Sequence, residues 1–134
     1  MFKLIKILNS GSNVPEPCRI PTGGLAFKAG AALTVADGTA APCGATQAPK
    51  FIAMANAEAT DTDVICYPVT PDMLFSVKVQ ENPAALKLFD KVTLYVDSDG
   101  MATGVTATTS SGVATVTDLE GAEAAGDTIT VKFA

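Results

Sequence analysis

The chain has 134 residues, nine Lys and Arg against fourteen Asp and Glu, three cysteines and no histidine. That length is one domain, able to bury about two-thirds of its unfolded surface. A net charge of −5 argues against nucleic acid or anionic lipid as a partner, and the missing histidine removes the Ser-His and Cys-His nucleophile pairs and most zinc sites.

Apolar residues make up 48% of the chain, but much of that is alanine, aromatics are only 6%, and tryptophan is absent. Abundant Thr, Val and Gly in short periodic runs point to an all-β domain. Charge is uneven. Residues 1–50 balance at +3 (Lys3, Lys6, Arg19, Lys28 and Lys50 against Glu16 and Asp37), and residues 51–134 at −8. Cys18, Cys43 and Cys66 are far apart in sequence and lack C-x-x-C spacing. This suits folding in a reducing cytoplasm and leaves one Cys–Cys pair possible. Met1–Leu8 is too short and too interrupted for a signal-peptide core, and no run approaches a membrane span.

In chain order, Met1–Asn9 carries Phe2, Leu4, Ile5, Ile7 and Leu8, followed by the joint Ser10-Gly11-Ser12-Asn13. Pro15, Pro17 and Pro21 then impose extended backbone with missing donors. Residues 1–22 read as an extended N-terminal arm and residues 23–134 as a single β domain. The alternative is an edge strand folded back on its own domain. Thr22-Gly23-Gly24-Leu25 is a turn, and Leu25–Lys28 a short strand. Ala31–Val35 is a strand closed by the hairpin signal Asp37-Gly38. Strands follow at Phe51–Ala55 and Val64–Val69, where Pro68 predicts an edge or a bulge. In Met73–Gln80, Phe75, Val77 and Val79 alternate with polar residues, predicting a half-exposed strand. Asn82-Pro83 is a helix start, an N-cap followed by proline at the first helical position, and predicts one short helix near 83–88.

The stretch Asp90–Gly100 organises the rest. Val92, Leu94 and Val96 point one way and Lys91, Thr93 and Tyr95 the other, before the turn Asp97-Ser98-Asp99-Gly100. Ala29–Val35 and Ala125–Val131 echo it. Each has a tight lead-in (Gly30, Phe89-Asp90, Gly126-Asp127) and then a strand with an apolar-Thr-apolar pattern. Further strands are predicted at Ala102–Thr109, Gly112–Thr117 and Thr128–Phe133.

Candidates for chemistry are sparse. Asp61/Asp63 and Asp97/Asp99 have the i, i+2 spacing that shares one face of extended chain, but the other ligands of a Ca²⁺ loop are missing, so they read as solvated turn carboxylates. Thr22-Gly23-Gly24 lacks a phosphate-loop pattern, the cysteines read as buried small hydrophobes, and Tyr67 and Tyr95 are too isolated to form a stacking platform. A non-catalytic binding or structural role is left by elimination, with an enzyme requiring a carboxylate dyad assembled from distant segments.

The proline-bearing arm, the Gly-started strands, the late turn Asn82-Pro83-Ala84-Ala85-Leu86 and the closing Gly126-Asp127-x-Ile129-x-Val131 resemble the capsid decoration, or cement, proteins of tailed bacteriophages. Phe89 stands where glycine is usual before the aspartate. The resemblance implies a compact two-sheet sandwich or barrel-like (β-tulip-like) domain with one short helix. It also implies a cofactor-free protein made in the host cytoplasm and carried on the outer capsid surface, often as a homotrimer. Its partner would be the major capsid protein, whose neighbouring subunits it holds together. The arm would then add a strand to a neighbour's open edge, with Phe2, Leu4, Ile5, Ile7, Leu8, Val14, Pro15 and Pro17 as contact residues. A second reading is a virion or cell-surface adhesion module, such as a head fibre base or a carbohydrate-binding β-sandwich.

Overall fold

The computed structural model describes residues 1–8 and 15–134. Among the described residues every regular element is a strand, and the strands form two antiparallel sheets that do not close into a barrel. The five-stranded sheet runs β1 (Lys3–Ile7), β7 (Met73–Lys78), β12 (Thr128–Lys132), β11 (Ala114–Asp118), β8 (Lys91–Val92). The seven-stranded sheet runs β2 (Cys18–Pro21), β6 (Asp63–Pro68), β5 (Phe51–Ala53), β3 (Ala32–Ala36), β10 (Ala102–Val105), β9 (Leu94–Val96), with β4 (Thr39–Pro42) paired on β3.

The stretch Lys91–Val96 does not lie in one sheet. Val92 faces Ala114 in the five-stranded sheet, whereas Leu94 faces Val105 in the other. Thr93 is the joint. Its N–H donates to the Thr108 carbonyl (3.1 Å), its carbonyl accepts from the Thr106 N–H (3.0 Å), and the two threonine hydroxyls meet at 2.7 Å. Val92, Thr93 and Leu94 are therefore all buried while Val96 is exposed, so strict alternation fails at the corner.

The larger core cluster includes residues of both sheets, among them Phe75, Val77, Ile129, Val131 and Val116 of one and Ile52, Tyr67 and Val105 of the other. A second cluster, with Ile20, Phe27, Leu33, Ala53, Val64, Cys66 and Met101, covers the opposite face of the seven-stranded sheet. β3, β5 and β6 thus bury successive residues on both faces (Ala32 and Leu33, Ile52 and Ala53, Cys66 and Tyr67). That is why their sequences are near-continuous apolar runs. Asp37-Gly38 forms the predicted two-residue β3–β4 turn, with φ of 51° and 77° as a type I′ turn requires.

Further expectations change. Residues 83–88 form successive turns, not a helix. Asn82 Oδ1 does accept from the Ala84 N–H (2.9 Å), but the chain makes only the Leu86 N–H to Pro83 carbonyl bond (2.9 Å) before Phe89 turns to φ 70°. So short a segment gains too little to propagate a helix. Pro68 is the last residue of β6, an interior strand, where a missing donor is tolerated at the end of the ladder.

Finally, the start of the proposed arm folds back. Lys3–Ile7 pairs with β7, and Phe2 is 2% exposed, its ring 5.5 Å from Phe133 and 6.3 Å from Phe75. Burying an aromatic ring in that cluster outweighs leaving it in water by about 1.5–3 kcal/mol, and the edge-to-face Phe2–Phe75 pair adds about 0.5–1.5 kcal/mol.

Candidate functional site

The residues proposed for partner contact separate into distinct environments. Phe2 belongs to the core; Leu4 and Ile7 are half-buried and pack against it. Leu8 is half-buried, its N–H bonded to the Asp72 carbonyl at 2.8 Å. Pro15 is half-buried and Pro17 exposed, while Val14 lies outside the described residues. Ile5 is the exception, 44% exposed at a register shift between Leu4 and Lys6. The shift is a bulge that bends the edge strand, and exposed Lys3 and Lys6 flank it. Both features oppose uninterrupted strand addition along β1. Ile5 instead lines an open groove of about 400 Å³ with Ser76, Glu120, Asp127, Thr128 and Thr130.

The opposite edge of the same sheet carries a second exposed apolar feature. Before β8, Leu88 is 51% exposed and Phe89 72% exposed. Their turn is held from several directions. Pro83 and Leu86 are buried, the Asp90 carboxylate accepts from the Lys87 N–H at 2.9 Å, and backbone bonds of 2.8 Å run from the Phe89 N–H to the Val116 carbonyl and from the Val116 N–H to the Asp90 carbonyl. Phe89 sits at φ 70°. Left-handed backbone costs a non-glycine residue about 1–2 kcal/mol, and leaving its ring in water forgoes about 1.5–3 kcal/mol. Among the described residues no packing of the ring offsets either cost, which makes Phe89 a candidate for contact with a partner. The lead-ins of the two echo strands, Gly30 (φ 77°) and Gly126 (φ 94°), have the same backbone sign. The phenylalanine in a glycine slot was visible in the sequence, but its exposure was not.

Of the two carboxylate pairs, Asp97, Asp99 and Asp61 are engaged by the protein itself. Lys28 Nζ lies 3.0 Å from Asp97 Oδ2 and 2.6 Å from Asp99 Oδ2. Partial burial pushes the Asp97 carboxyl upward, but the Lys28 ammonium and the N–H groups of Met101 and Asp99 outweigh it and hold Asp97 below the usual carboxylate range. The Asp61 carboxylate accepts from the Glu58 N–H at 2.7 Å, a turn-closing bond. Among the described residues no three His, Cys, Asp or Glu side chains come together in a way that could hold a metal ion.

The geometry defines a mainly β, two-sheet domain with exposed apolar residues at the two edges of one sheet. Its fold is similar to that of a solved phage protein, the head fiber gp8.5 N base of bacteriophage phi29. The TM-score is 0.57 at 15% identity, over 90% of this chain and 95% of that one, so what the two share is the fold. No family model matches the chain, and no curated protein matches it.

Proposed function

We propose that the chain is a non-catalytic structural protein of a bacteriophage head, made in the host cytoplasm and carried on the outer capsid surface, where it contacts the major capsid protein and bridges neighbouring subunits. The observation that carries this reading is the fold shared with a phage head fiber base over nearly the full length of both chains. The placement of Ile5 within one edge strand and Leu88-Phe89 just before the other supports it, because a bridging protein needs contacts on two sides. Of the sequence-proposed contact residues, Ile5 is the exposed anchor in this reading, on the same edge strand as the half-buried Leu4 and Ile7. Phe2 supports it from the core. The acidic remainder keeps the free protein soluble before it attaches and disfavours nucleic acid and anionic membranes as partners. Attachment as a homotrimer multiplies modest contacts through avidity.

The likeness to a fiber base favours one second reading, in which the domain anchors a fibre to the head without bridging subunits. Co-sedimentation of the purified chain with expanded phage heads, followed by heating of the decorated heads, tests both. Occupancy with a rise in head disruption temperature is the bridging outcome. Occupancy with no rise is the anchor outcome, and absence of binding removes both. Ile5→Ser and Phe89→Ser should each weaken occupancy about 10–100-fold, the loss of one buried side chain per contact. Sedimentation equilibrium of the free and bound forms tests the trimer.

A further inference from the structure

We propose that Cys18 and Cys66 form a reversible cross-strand disulfide that staples strand β2 to the seven-stranded sheet, with a low-molecular-weight disulfide such as oxidised glutathione as the oxidant. The two residues are directly opposite in the antiparallel β2–β6 ladder, and their sulfurs are 3.5 Å apart. Opposed positions in such a ladder place Cα atoms about 4.5–5.5 Å apart, inside the range a disulfide spans. Closing the bond requires the sulfurs to approach by about 1.5 Å. Both are free thiols here.

The two thiols differ in access. Cys18 is half-buried beside a groove of about 410 Å³ lined by Pro17, Arg19 and Ile65. The Arg19 charge in that groove complements the carboxylates of glutathione. Cys66 is fully buried, and burial followed by the Cys18 contact pushes its thiol up to about 12. Cys18 therefore reacts first. Its sulfur attacks one sulfur of the oxidant, giving a mixed disulfide and one released thiol. The Cys66 sulfur then displaces the second thiol and closes the bond. Two cysteine protons leave with two reduced thiol molecules, and the protein disulfide has replaced the small one. Cys43 lies in the other core cluster and takes no part.

β2 ends its sheet, and β6 is its ladder partner, so the bond fixes a terminal strand. The folded full-length chain, incubated in oxidised glutathione without denaturant, should lose two hydrogens. After alkylation and trypsin, residues 7–19 should be joined to residues 51–78, with Cys43 alkylated in 29–50. The melting temperature should rise by about 10 °C, fall back with reductant, and not rise in Cys18→Ala. Three free thiols after oxidation, a bond to Cys43, or Cys18 held as a mixed disulfide with Cys66 still reduced would each overturn the pairing. A Cys18–Cys66 bond with an unchanged melting temperature would overturn the stapling.

Discussion

At the residue scale, Phe89 holds a backbone conformation suited to glycine and an environment unsuited to phenylalanine. Phe89→Gly should therefore stabilise the isolated domain by about 0.5–1 kcal/mol, the left-handed strain removed less the extra chain entropy of glycine. The same change should weaken attachment. Chemical denaturation beside head binding measures the two effects together, and a loss of stability would show that the ring is held within the fold. Gly112 is constrained differently: a Cβ there would meet the Lys91 carbonyl oxygen at 2.0 Å and the Val92 nitrogen at 2.6 Å. Backbone cannot step aside as a side-chain tip can, so Gly112→Ala should cost about 1–3 kcal/mol or more. Gly44→Ala, in open space, should change stability by less than about 0.5 kcal/mol.

At the scale of elements, β1 is part of the domain it precedes. Its ladder with β7 and the Phe2 N–H bond to the Gly30 carbonyl (2.9 Å) place Phe2 among Phe75 and Phe133. Phe2→Ala should cost about 3–5 kcal/mol, whereas Ile5→Ser should cost under about 1 kcal/mol because Ile5 is exposed. Equal costs measured by urea unfolding would contradict the placement of β1. For the same reason, removing residues 1–8 tests the fold as much as attachment, and single substitutions at Ile5 isolate attachment. The β8–β9 corner has a similar logic. Thr93 ties the corner to the Thr106–Thr108 segment through its backbone and hydroxyl, so a valine there keeps the volume and β-branching but removes the hydroxyl pair, leaving the Thr106 hydroxyl the bond it accepts from the Thr108 N–H (3.0 Å).

At the scale of the whole molecule, stability should be sensitive to alkali. Burial pushes the thiols of Cys43 and Cys66 and the phenol of Tyr67 up to about 12. In an unfolded chain these groups ionise near about 8.5 and 10. The fold favours their neutral forms, so their contribution is fully present below the unfolded values and is lost as pH rises toward 12. The urea midpoint should begin to fall near pH 9, and a midpoint unchanged to pH 11 would mean that water reaches these groups. The topology also sets the folding rate. β1 pairs with β7 and β2 with β6, so early strands wait for distant partners. Refolding should take milliseconds to seconds, the range of non-local β topologies.

Local signals in the chain were enough to locate most strands and the Asp37-Gly38 turn, because alternation and turn chemistry act between residues close in sequence. The resemblance to phage decoration proteins, not a local signal, singled out Phe89 where glycine is usual before the aspartate. Pairing is not local. Nothing near Lys91–Val96 signals that its halves join different sheets, and nothing near Phe2 signals the Phe75 and Phe133 rings that take it from the arm into the core. Cys18 and Cys66 look unrelated until β2 and β6 are set in register. The helix expected after Asn82 had a sound cap, but too few residues follow before the turn at Phe89 ties the chain to β11. Tertiary structure decided these points because burial and ladder bonds are shared between segments far apart in sequence, and each segment alone is compatible with more than one partner.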